Sequence, residues 1–139
     1  MMMESGIQII YIDYAQIYYK ERRKRFPNHY SGKFIQMRNN SKEYLVFSPW
    51  EFTRYHADII ERFCMDREIP GVHDKKNKRF DIIDIAWNVI GGGKFEIDKK
   101  KKYLRLYDDS MAYGRYDRRG MKEKILSIEQ FAGYEVTVE

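Results

Sequence analysis

Three short stretches of this sequence hold groups able to handle an anion. Arg54-Tyr55-His56-Ala57-Asp58-Ile59-Ile60 carries a histidine, and Gly91-Gly92-Gly93-Lys94 joins a bare backbone to a cation. Ser110-Met111-Ala112-Tyr113-Gly114 sets a hydroxyl among small residues ahead of a glycine. Imidazole both donates and accepts a proton near neutral pH. Glycines within a strand let another group approach the backbone, and amides exposed in a tight turn bind anions. A proton-transfer group, a cation, a hydroxyl and an approachable backbone suit the handling of a phosphoryl group without a metal, because phosphoryl transfer depends mainly on positioning and charge stabilisation.

Taken singly, each signal has a plainer reading. A lone histidine on an amphipathic helix is usually structural. The triple glycine lacks the spacing of a phosphate-binding P-loop and reads as a bulge or bend in a sheet. His29 and His73 lie in loops rich in lysine or asparagine, and the three histidines do not have metal-ligand spacing. No acid pair or Ser-His-Asp order stands out, and no cofactor is called for.

The elements that must position these groups fit one domain. At 139 residues, with 43% hydrophobic and 16% aromatic residues, the chain can bury a core despite 34% charged residues. The single cysteine, Cys64, excludes an internal disulfide framework and reads as a buried, inert thiol. The apolar run Ile7–Ile12 is too short for a signal peptide and no stretch is long enough to span a bilayer, so a soluble cytoplasmic protein with no membrane partner is expected. The net charge is +5, with basic clusters at Lys20–Arg25, Lys75–Arg79, Lys99–Lys102 and Arg115–Arg119. The first three read chiefly as solvated turns and helix faces, which disfavours nucleic acid as the partner.

Gly6–Asp13 reads as a strand and Tyr14–Arg25 as a helix ending before Pro27. Tyr11, Tyr14 and Tyr18 are expected to pack on the core. Lys33–Arg38 and Glu43–Phe47 read as strands around the turn Asn39-Asn40-Ser41. Ser48-Pro49-Trp50-Glu51 has the form of a capping box. The following helix bears an apolar face of Tyr55, Ile59, Ile60, Phe63 and Cys64 and runs out near Glu68. Val72–Arg79 reads as a polar loop, Phe80–Ile90 as a strand buried on both faces, and Lys94–Asp98 with Lys102–Tyr107 as a hairpin. Met121–Phe131 reads as a helix stopped at Gly133 and Tyr134–Val138 as a final strand. The expected fold class is α/β, a single mixed β-sheet with helices packed on its faces. Residues 1–30 form a strand/helix extension packed on the core domain, 31–139.

The order of these segments resembles the janus/ocnus family, which includes the phosphohistidine phosphatases of animals. The resemblance rests on Tyr55-His56-Ala57-Asp58-Ile59, Gly91–Lys94, Ser110–Gly114, the terminal Tyr134-Glu135-Val136-Thr137 and the lysine-led strand Lys33–Arg38. It implies a phosphohistidine-phosphatase-like fold and a metal-independent hydrolysis of phosphohistidine in a protein or of a small phosphoramidate, by a monomer or homodimer. It makes His56 the general base, or the group that transiently accepts the phosphoryl. Lys33 and Lys94 would hold phosphate oxygens, Lys94 standing where the family has an arginine. Ser110, with the amides of Met111 and Ala112, would bind the remaining oxygens, and the amides of His56 and Ala57 would add to the cradle. Free amides there require Pro49–Phe52 to be a separate turn and the helix to begin near Thr53, itself an acceptable N-cap. Glu43–Glu51 lacks an arginine that the family carries, the segment between His56 and Gly91 is longer, and the first thirty residues are additional. Two other readings compete: a non-catalytic domain that binds a phosphorylated partner, and nucleic-acid binding by the tyrosine-rich start and Lys75–Arg79.

Overall fold

The computed structural model describes residues 6–139; residues 1–5 of the expected N-terminal extension lie outside the described residues. Eight strands and three α-helices follow in the order β1 (Gln8–Asp13), α1 (Ala15–Glu21), β2 (His29–Asn39), β3 (Lys42–Pro49), α2 (His56–Asp66), β4 (Gly71–Asp74), β5 (Arg79–Ile82), β6 (Trp87–Asp98), β7 (Tyr103–Tyr107), α3 (Met121–Leu126) and β8 (Glu135–Val138). Six strands form one mixed sheet in the order β1-β3-β2-β6-β7-β8, and β4 and β5 form a separate hairpin. The outer pairs β1–β3 and β7–β8 are parallel, and the inner pairs are antiparallel. The chain is thus a mixed α/β domain, as its pattern of elements predicts, but not with the single sheet expected, since β4 and β5 pair apart from the other six strands.

Alternation along the strands sorts the core into two layers. Phe34, Leu45, Phe47, Phe95 and Ile97 point to one face, where they meet Tyr18 of α1, Ile125 of α3 and Phe131. Ile35, Met37, Tyr44 and Val46 point to the other and pack on Ile59, Ile60, Phe63 and Cys64 of α2. Tyr14 and Tyr18 are buried, and Tyr11 packs edge-on against Phe47 and Phe131. Burial pushes the Cys64 thiol up to about 11, leaving it protonated.

Three regions differ from the sequence pattern. Phe80–Ile90 is not one strand: β5 ends at Ile82, β6 begins at Trp87, and Ile85 between them is 98% exposed. Asp84 explains the break, since its carboxylate accepts the Ala86 amide at 2.9 Å and its carbonyl the Trp87 amide at 3.1 Å, which turns the chain. The supposed loop Val72–Arg79 is instead most of the β4–β5 hairpin, its turn pinned by Asp74, whose carboxylate accepts two bonds from Asn77 at 3.2 and 2.9 Å. The last helix also stops early: the Ser127 hydroxyl donates to Lys124 O at 2.6 Å, and Glu129–Phe131 continues only as a 3-10 turn. In contrast, β6 runs unbroken through the three glycines, with the irregularity one residue earlier, where Gln36 pairs with Gly91 but Met37 with Val89.

Across the sheet from α2, a fully buried carboxylate ties three elements together. Glu43 of β3 accepts bonds from Arg38 at 2.6 Å, Lys124 of α3 at 2.9 Å and Gln36 at 3.1 Å. Burial raises its pKa, but these bonds outweigh burial and hold it below the usual carboxylate range. Gln36 Oε1 in turn accepts the Asp117 amide at 2.8 Å. Removing Glu43 leaves Gln36 and the largely buried Lys124 without an acceptor, while the half-exposed Arg38 can turn to solvent. Glu43→Ala is therefore expected to cost about 3–5 kcal/mol of unfolding free energy, measured by urea denaturation.

Candidate functional site

The three chemistry-bearing segments converge on one cleft of about 600 Å³ on the α2 side of the sheet, at the start of that helix. Lys33, His56, Lys94, Ser110, Met111 and Ala112 all line it. Ala57, the next residue of α2, is buried and presents its amide at the same helix start.

His56 is the first residue of α2, not the third as a Thr53 cap would make it. Thr53 is buried and its hydroxyl is already engaged, bonded to Ser48 Oγ and receiving Arg62 Nη1 at 3.3 Å, so it cannot cap. Pro49–Phe52 is a separate turn, closed by the Phe52 amide on Pro49 O at 3.0 Å. The cap position falls to Tyr55, whose backbone is extended and whose side chain is not one that caps well. Its own amide donates to Asp58 Oδ2 at 3.0 Å. The amides of His56 and Ala57 consequently have no acceptor among the described residues. Two open donors at the positive end of an 11-residue helix favour an anion.

The His56 ring lies on the bare backbone of β6. A methyl group built on Gly92 would sit 2.8 Å from His56 Cδ2 and 2.8 Å from Phe34 O, so no side chain fits there. Nε2 lies 2.9 Å from Gly93 O, which can only accept, and this fixes the proton on Nε2 and the lone pair on Nδ1. Nδ1 has no protein partner among the described residues, and it is not a buried unpaired atom, so it meets solvent. Burial pulls the His56 pKa down to about 4; the charges of Lys33 and Lys94 add to this, and the Gly93 bond and Asp108 oppose it.

Lys33 and Lys94 are direct partners across β2 and β6. Like charges placed opposite one another cost stability. Each is partly relieved: Lys33 donates to Arg54 O, and Lys94 pairs with Asp108 Oδ2 at 2.7 Å. Burial, then the charge of Lys94, lowers the Lys33 pKa, whereas the bond to Asp108 raises that of Lys94. Both ammonium groups also lie over the Trp50 ring, at 5.4 and 5.8 Å from its centroid.

The Ser110 turn is closed by reciprocal backbone bonds with Gly114, at 3.1 and 2.8 Å. Ser110 Oγ accepts the Tyr113 amide at 3.1 Å and keeps its own proton to donate. The amides of Met111 and Ala112 have no acceptor among the described residues. His29 and His73 lie elsewhere, beside Glu96 and Glu61.

Sequence reasoning missed Tyr55, Asp108 and the tip of the β4–β5 hairpin, Lys76, Asn77 and Lys78, all of which line the cleft. The Lys75–Arg79 charge run was the available signal for the hairpin, but its reach to the cleft depends on tertiary contacts. Arg79 donates to Ala112 O, and the Tyr113 hydroxyl bonds both the amide and the carbonyl of Phe80, at 2.6 and 2.9 Å.

One cleft of a mixed α/β domain thus gathers two lysines, open amides and a neutral imidazole. The family model described as Janus/Ocnus family (Ocnus) matches residues 31–135, and the chain belongs to that family. It is similar to the sex-regulated protein janus-A of Drosophila pseudoobscura pseudoobscura, 29% identical over 112 residues that cover 75% of this chain and 65% of that relative. β1 and α1 precede the matched residues.

Two outcomes follow for His56. Its C–H resonances should titrate near 4 in the folded protein, by NMR. Since the folded pKa lies below the unfolded value, the unfolded chain takes up the proton first as pH falls. The wild type should then lose up to about 3 kcal/mol relative to His56→Gln between pH 6.5 and 4, with a constant difference between the two above that window, in urea titrations at each pH. Gly92→Ala is expected to cost about 1–3 kcal/mol by overpacking and to displace the ring, read from the shift of the same resonances.

Proposed function

We propose that this protein hydrolyses phosphohistidine, or a related phosphoramidate, without a metal, with His56 as general base. The observation that carries the reading is the open Nδ1 of a neutral imidazole in the same cleft as the uncapped start of α2. The resemblance to animal phosphohistidine phosphatases supports the same activity and a fold of that type.

In this reading the phosphoryl oxygens take the amides of His56, Ala57, Met111 and Ala112, the Ser110 hydroxyl and the ammonium groups of Lys33 and Lys94. A doubly charged phosphoryl group would neutralise the opposed lysines and turn a repulsive pair into a clamp. His56 Nδ1 takes a proton from a water as its oxygen bonds phosphorus. The P–N bond breaks with its electron pair on the leaving imidazole nitrogen, and the proton held on His56 Nδ1 passes through solvent to that nitrogen, which returns His56 to its neutral form. The products are inorganic phosphate and free histidine. With a pKa of about 4 in the anion-free site, His56 is a weak base, always unprotonated near neutral pH. A bound dianion favours its protonated form and so strengthens it as a base at the moment it is needed.

That same low basicity, with Nε2 committed to Gly93, favours a second reading: a domain of the same fold that binds a phosphorylated partner and does not turn it over. Phosphate release from phosphohistidine in the presence of a chelator separates the two. The catalytic reading expects His56→Ala to lose at least about a hundredfold in rate while retaining phosphate-induced thermal stabilisation. A folded wild type that is stabilised by phosphate but releases none from any phosphoramidate would support the binding domain.

A further inference from the structure

The β4–β5 hairpin adds a second cluster of positive charge to the cleft, and its lysines differ from the others there. Lys94 has Asp108 and Lys33 has Arg54 O, but Lys76 and Lys78 form no ion pair among the described residues. They are exposed at the tip, yet the tip is not loosely held. Its turn is pinned by Asp74 and Asn77, and its second strand is clamped to the Ser110 turn through Arg79 and Tyr113. Lys78 Nζ lies 4.9 Å from the centroid of the Tyr55 ring, and Lys33 Nζ lies 5.7 Å from the same ring. One aromatic side chain therefore links the hairpin's cation to that of the inner site. The whole cleft, about 600 Å³, has room for a ligand far larger than a phosphoryl group.

We infer that Lys76 and Lys78 form an outer anion subsite that selects a protein segment carrying carboxylates beside its phosphorylated residue, in preference to a small phosphoramidate. This rests on the proposal that the inner site binds a phosphoryl group, but not on turnover. With the phosphoryl group between Lys33 and Lys94, neighbouring residues of an extended segment must leave along the open rim, which the hairpin borders. Asp108 and Asp109 are on the same lining and would repel such carboxylates, so the attraction falls to the hairpin lysines. Asn77 is committed to Asp74, so the selectivity falls to the two lysines. Exposed ion pairs contribute little each, so the preference is modest and sensitive to salt.

The test is a binding titration, which remains informative if the protein is not an enzyme. The probes are inorganic phosphate and two peptides bearing a non-hydrolysable phosphonate analogue of phosphohistidine, flanked by Asp in one and Ala in the other. The wild type is expected to bind the Asp-flanked peptide about three- to tenfold more tightly than the Ala-flanked one at low salt. K76S/K78S should equalise the two peptides while its affinity for phosphate stays within about twofold. Equal affinity of the wild type for both peptides would overturn the proposal. So would a variant that loses phosphate and both peptides alike, or a single-stranded oligonucleotide that binds more tightly than the Asp-flanked peptide. Failure to bind phosphate or either peptide would instead remove the inner phosphoryl site, and the outer subsite with it.

Discussion

The seat of the His56 ring against the bare backbone of β6 is the constraint on which the rest of the site depends. With Cδ2 this close to Gly92, and Nε2 bonded to Gly93 O, the helix start cannot move toward or away from the sheet without losing one contact or forcing the other. The triple glycine is therefore a matter of space. Gly92 admits the imidazole, and a methyl group on Gly91 would lie 2.2 Å from Arg115 O, where the chain returns after the Ser110 turn. The backbone of β6 is thus approached from both flanks, by α2 and by the segment following the Ser110 turn. One strand registers the two amide-bearing elements against each other, and side chains on it would push them apart.

The same packing sets the electrostatics. Burial keeps the imidazole neutral, and the carbonyl of Gly93 decides which nitrogen keeps the proton. Two lysines then face one another on adjacent strands beside it. A fold optimised only for stability would not put like charges opposite each other next to an uncapped helix start. Such local costs persist where they serve a site, and here several coincide within one cleft. The Glu43 network shows the contrast. There every charge has an opposite partner, and the arrangement ties the sheet to α3.

Much of this was legible in the sequence, and the parts that were not share a cause. The alternation of Lys33–Arg38 and Glu43–Phe47 and the 3–4 spacing of Ile59, Ile60, Phe63 and Cys64 report burial directly, and the two-layer core follows from them. His56, Lys94 and the Ser110 turn stood out by local type, whereas Lys33 and the amides of Ala57, Met111 and Ala112 were implied by the family resemblance; the structure gathers them around one cleft and helix start. The start of α2 was misjudged because Thr53 is a good cap by type. Its hydroxyl is taken by Ser48 and Arg62, partners invisible to local rules. The run Phe80–Ile90 misled because apolar content alone does not reveal that Asp84 turns the chain. The hairpin's place beside the cleft depends on Arg79 reaching Ala112 and Tyr113 reaching Phe80, each across 33 residues of sequence.

Lys94 and Asp108 bear on how an anion would enter. Asp108 lies just beyond β7 with a positive φ of 64°, in the left-handed region, and its carboxylate sits on Lys94 at 2.7 Å. Its pKa is held below the ordinary carboxylate value, chiefly by that bond, so it is charged across the neutral range. The pair is partly exposed, so its net worth is small, and a phosphoryl dianion can displace the carboxylate at little cost. Until then Asp108 offsets one of the two opposed charges and limits the repulsion that Lys33 feels from Lys94. A lysine suits this exchange better than an arginine would: it offers a single compact charge on a flexible stem, free to swing from carboxylate to phosphate, and gives up bidentate grip for that freedom. In the proposed site Lys94 is then the cation free to move, beside Lys33, the Ser110 hydroxyl and the amides, and the amides are the part that the glycine strand holds in register.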